Sequence, residues 1–184
     1  KAALGENPKR VYGERTQTPS TRLGVALTIR QAFARARAWA AKPAEERDAD
    51  LVSEALCRVL EREIPWRQHS HRADDIATAL RIAEEFGFDL VLDHGTESYL
   101  IADKIAAAGV PVLYGPLIVS RSKVEVRHRT PKAPGILTAA GVKVSIITDH
   151  PVVPIEFLVD QAALAVKHGM AAQEALRAIT LNPA

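Results

Sequence analysis

Phe88-Asp89-Leu90-Val91-Leu92-Asp93-His94-Gly95 is the stretch whose reading decides the fold. Its first five residues are apolar apart from Asp89, as expected of a strand buried on both faces of a parallel sheet. The run then passes straight into an acid, an imidazole and a glycine. On its N-terminal side, residues 73–86 put Ile76, Ala79, Leu80 and Ala83 on one helical face. On its C-terminal side, residues 98–108 read as a helix that Gly109 stops.

The same alternation continues outward. Residues 64–70 read as a strand with Pro65 near its start, and 110–114 as a third strand. Residues 115–134 read as a long basic loop with Arg121, Lys123, Arg127, His128 and Arg129, followed by a short helix at 136–140. A fourth strand at 142–148 leads into helices at 155–168 and 171–180, separated by Gly169. This β-α-β-α-β-α-β-α order predicts an α/β fold with a parallel sheet and helical crossovers. Before it, Gly5, Pro8, Gly13 and Pro19 punctuate an expected loop over 1–20. Ser20 or Thr21 caps a helix to about 41, Pro43 ends it, and a second helix is expected at 44–62.

The bulk properties exclude several classes. The 184 residues are 47% hydrophobic and 25% charged with net charge +2, and the charges are interleaved. That composition suits a globular domain and offers neither a nucleic-acid stripe nor a polybasic membrane anchor. The apolar runs are far shorter than a membrane span. A single cysteine, Cys57, among apolar helical positions reads as a buried thiol, and a cytoplasmic location is expected. The chain starts at Lys1 and stops just after a helix, so it is expected to be a piece of a longer protein.

Chemistry is expected where parallel strands run out into βα loops. The four strands end in Gln68-His69-Ser70-His71, Asp93-His94, Tyr114-Gly115 and Thr148-Asp149-His150. Imidazole and carboxylate are donors that zinc and similar divalent ions accept. One such histidine alone is more often structural, but three such ends in register across four units favour a site.

Gly5-Glu6-Asn7-Pro8-Lys9-Arg10, His69-Ser70-His71-Arg72-Ala73-Asp74-Asp75, Asp93-His94-Gly95-Thr96-Glu97, Gly115-Pro116, Thr148-Asp149-His150-Pro151 and the closing run 175–184 together resemble the amidohydrolase superfamily, nearest its imidazolonepropionase-like and prolidase-like branch. The resemblance implies the C-terminal half of a (β/α)8 (TIM) barrel, with residues 1–62 as loop and helices before strand five and 63–184 as strands five to eight. It implies His69, His94 and Asp149 as metal residues, with Asp149 and His94 catalytic and a divalent metal, zinc, as cofactor. The implied reaction is hydrolysis of a carbon–nitrogen bond in a small-molecule substrate, with Asp149 as general base and then acid. The superfamily's strand-one His-x-His pair has the spelling of His69-Ser70-His71. A strand-one placement would leave too few residues for a barrel of about 250 before Asp149, so that assignment is rejected.

Glu6 and His71 are further candidates for metal or substrate contact, and Arg121 for binding an acidic substrate group. The fragment alone is expected to be inactive. Its open strand edges, including a strand at 64–70 without its upstream neighbour, favour self-association or docking of the missing N-terminal half. Two other readings compete: a pseudoenzyme that has lost its metal, and an open α/β module that binds a small molecule. The latter calls for a Gly-rich phosphate loop, which the sequence lacks.

Overall fold

The computed structural model describes residues 1–120 and 123–184. Five parallel strands form one sheet in the order β1-β2-β3-β4-β5: β1 Ala2–Ala3, β2 Trp66–Ser70, β3 Leu90–His94, β4 Val112–Tyr114 and β5 Val144–Ile146. The helices are α1 Glu6–Glu14, α2 Arg22–Ala40, α3 Leu51–Leu60, α4 Ala73–Phe86, α5 Ala102–Ala107, α6 Ala133–Ala139, α7 Leu158–Lys167 and α8 Ala172–Ala178. The expected α/β architecture with helical crossovers is therefore present. No helix among the described residues is long and apolar enough to cross a membrane.

The core follows from the alternation of each strand. Leu92, Val112 and Val144 are fully buried and join one apolar cluster with Ile76, Ile105, Leu137 and Ala165 from the helices. Phe33 of α2 anchors a second part of that cluster. Its ring lies 4.6 Å from Phe88, 5.0 Å from Trp66 and 5.3 Å from Phe86. Cys57 is buried as expected, with its thiol against the Ala36 carbonyl. Residues two apart share a strand face, so Arg67 lies on the face of His69. The cross-strand partner of His69 is Asp93. Asp93 makes ion pairs with Lys1 at 2.7 Å and Arg67 at 2.9 Å. Burial pushes its carboxyl up, but these two cations outweigh burial and hold it below the usual range.

The N-terminal region differs from expectation. In place of a loop over 1–20 the chain forms β1, which pairs with β2 through Ala2↔Gln68 and Ala3↔His69, and then α1. The strand at 64–70 therefore has an upstream neighbour. Pro8 does not prevent the helix because it lies in the first turn, where a backbone N–H has no intrahelical acceptor. The helix expected at 44–62 is broken into a 3-10 turn at Ala44–Glu46 and α3. Asp50 starts α3 by accepting from the backbone N–H groups of Val52 and Ser53.

Candidate metal centre

The site is built at the C-terminal ends of β2, β3 and β5. His69 leaves β2 on the same face as Arg67, and His71 follows two residues later. His94 ends β3 with φ 72°, a left-handed conformation rare in a residue with a side chain. The alternation of β3 alone would send it to the face of Leu92, yet its ring meets that of His69, which is on the opposite face of the sheet. The three rings meet: His69–His94 centroids are 4.5 Å apart, His69–His71 4.7 Å and His71–His94 5.0 Å. Asp149, also left-handed with φ 53°, lines the same cavity as all three histidines. The cavity wall continues with Lys1, Asn7, Thr96, Lys123 and Arg129, among others.

Each imidazole has a hydrogen-bond partner, and in this arrangement His94 keeps a free ring nitrogen while His69 accepts from Asn7, a bond that an ion at Nε2 would displace. His94 Nδ1 donates to the Gly115 carbonyl at 2.8 Å, which leaves a lone pair at Nε2. His71 Nδ1 is hydrogen-bonded to the Thr96 hydroxyl at 2.8 Å. Asn7 Nδ2 donates to His69 Nε2 at 3.2 Å. The Lys123 ammonium, 2.7 Å from Asn7 Oδ1, fixes which end of that amide carries oxygen. Burial, then the charges of His94, Lys123 and Lys1, push His69 down to about 3. Burial, followed by His69, His94 and Lys123, pushes His71 down to about 2. His94 is likewise lowered by burial, against its bond to Gly115 and the charge of Asp149. Burial thus favours the neutral form of all three rings, the form that binds metal.

A carboxylate that sequence reasoning missed joins them. His69, His71 and Glu125 present ligand atoms that all lie within 4.8 Å of one another, and they could hold a metal ion. Glu125 is 2% exposed and sits in a 3-10 turn, Val124–Val126, inside the basic loop. Its Oε1 is buried without a hydrogen-bond partner and lies 3.8 Å from His71 Nε2. Burial raises its carboxyl, against a backbone hydrogen bond from Glu6. A buried carboxylate oxygen left open beside neutral imidazoles fits a divalent cation.

His71 and His94 both join the ring cluster. Asp149 and His94 lie outside the three-residue set of mutually close ligand atoms, though both line its cavity. Glu6 is turned to the peptide of Glu125, accepting from the Glu125 N–H at 3.3 Å. Arg121 lies outside the described residues. The signal for Glu125 in the sequence was faint: a lone acid in a run of bases.

Two known proteins that this chain is similar to are amidohydrolases. The chain is similar to an amidohydrolase from Thermotoga maritima MSB8 of known crystal structure, with TM-score 0.95 and 46% sequence identity over 98% of this chain and 49% of that one. It is also similar to amidohydrolase tasK of Hapsidospora irregularis, 28% identical over 203 residues, which is 100% of this chain and 21% of that protein. The chain thus spans about half the length of the first relative and about a fifth of the second. No family model matches it.

Proposed function

We propose that this chain is the C-terminal half of a metal-dependent amidohydrolase barrel that hydrolyses carbon–nitrogen bonds of small cyclic or acyl amides. The observation that carries this reading is the meeting of three buried imidazoles with a buried carboxylate whose Oε1 is open. His69, His71 and Glu125 are the residues that would hold the ion, and their nitrogen and oxygen donors suit zinc. Such an ion supplies Lewis acidity, polarising a carbonyl and making water acidic near neutral pH.

The chain's own residues do the rest. Asp149 accepts the proton of the attacking water and returns it to the leaving nitrogen. His94 offers a lone pair at Nε2, its Nδ1 proton being held by Gly115, and its neutrality suits it to ligation or proton transfer beside Asp149. The upstream half of the barrel would close over the sheet face that carries Arg67 and Asp93.

The test is Asp149→Asn in the longer protein, assayed with a panel of cyclic and N-acyl amides. Turnover is expected to fall by about 10² to 10⁴, the usual cost of losing a general base, with metal retained. Unchanged kcat in metal-replete protein refutes the assignment.

A further inference from the structure

Two of the sequence stretches quoted above have no part in the proposed chemistry: Gly5-Glu6, and Asp75 at the end of the His69-Ser70-His71-Arg72-Ala73-Asp74-Asp75 run. They meet at Glu125. Its Oε2 accepts the Glu6 backbone N–H at 2.7 Å. Gly5 allows that approach: its φ is +89°, and a Cβ there would lie 2.5 Å from Glu125 Oε2 and 3.1 Å from Asp75 Oδ2. Arg22, the first residue of α2, spans both carboxylates. Its Nε donates to Asp75 Oδ2 at 3.0 Å, and its Nη2 lies 3.7 Å from Glu125 Oε2.

We infer that Arg22 is a positioning residue for the metal centre, its charge keeping Oε2 of Glu125 on the side of Asp75 so that Oε1 faces the histidines. The inference rests on the metal centre proposed above. Both carboxylates are almost fully buried, Asp75 with 4% and Glu125 with 1% of its side chain exposed. Two such groups side by side repel unless a cation lies between them. Arg22 lies between them: its planar fork hydrogen-bonds Asp75 and brings a second nitrogen within ion-pair distance of Glu125, which an ammonium does less well. Without it, Oε2 keeps the Glu6 N–H among the described residues, and the charge of Asp75 beside it favours a turn of Glu125 away from Asp75. The residue acts on the ion only through the carboxylate it holds. Outer partners of this kind typically matter 10- to 100-fold in metal affinity.

The experiment measures zinc affinity by chelator competition in the purified protein and in Arg22→Met, with metal-free melting temperature and the visible spectrum of the cobalt(II) form alongside. Arg22→Met is expected to bind zinc about 10- to 100-fold more weakly and to change the cobalt spectrum, and Arg22→Lys to recover part of the loss. A merely structural arginine would lower the melting temperature and leave affinity and spectrum alone. Zinc affinity within twofold of the parent, with an unchanged spectrum, overturns the assignment. If Arg22→Met does not fold, Arg22→Gln carries the same comparison, since it can still bond Asp75 but has no charge. A parent protein that binds no zinc overturns the metal centre itself, and this inference with it.

Discussion

Nε2 of His71 and Oε1 of Glu125 lie 3.8 Å apart, although 54 positions separate them in the chain (125 − 71). The contact joins the end of β2 to a turn inside the basic loop after β4. Glu125→Gln keeps the shape, removes the charge, and relieves a carboxylate that burial already disfavours. Its metal-free melting temperature is expected to equal or exceed that of the parent. Its zinc affinity is expected to fall by more than the roughly 10- to 100-fold typical of an outer partner. Calorimetry of the metal-free protein together with zinc titration checks both.

Gly115 bears on site and fold at once. Its φ is +145°, and a Cβ there would run into the Ile147 carbonyl. Its own carbonyl holds His94 Nδ1 at 2.8 Å. Gly115→Ala is expected to cost at least about 1–3 kcal/mol of backbone strain and to disturb the His94 ring. Urea unfolding measures the first effect, and histidine NMR chemical shifts measure the second.

Phe33 provides the contrast. It is fully buried against Trp66, Phe86 and Phe88, and it is absent from the cavity lining. Phe33→Ala is expected to destabilise by about 3–5 kcal/mol while leaving zinc affinity unchanged at a temperature where the variant is folded. A parallel loss of affinity would contradict the separation of core and site.

Asp50 governs part of the acid branch of stability. The Ser53 hydroxyl and backbone N–H, aided by Arg35, hold its carboxyl down to about 2, against about 3.9 in an unfolded chain. A folded pKa below the unfolded one means stabilisation that is fully present above about pH 4 and lost as pH falls toward 2. Asp50→Asn keeps the cap but cannot titrate. Its melting temperature is expected to fall less steeply than the parent's between pH 4 and 2.5, as thermal scans across that window would show.

The parallel sheet was legible because the stretches at and just before β3 and β4 are near-continuous apolar runs and α4 is strongly amphipathic; the helix at 73–86 was read with the bounds it has. The ring cluster was partly legible because His69, His71 and His94 stand at or beside strand ends. Three features escaped. β1 is two residues long, Ala2–Ala3, too short for any periodicity to mark it. Glu125 carries no local pattern: its carboxylate is placed by Glu6, 119 positions away, and by Arg22, so only the folded chain reveals it. The left-handed turn at His94 was equally silent, since a backbone φ is not written in residue type.

The central claim is that His69, His71 and Glu125 hold a divalent metal. Zinc titration of the purified protein beside a His69→Ala, His71→Ala double variant tests it most directly, with circular dichroism to show that both are folded. The account predicts zinc binding by the parent that is lost in the double variant at micromolar protein. Equal binding by the two proteins, or none by the parent, would contradict it.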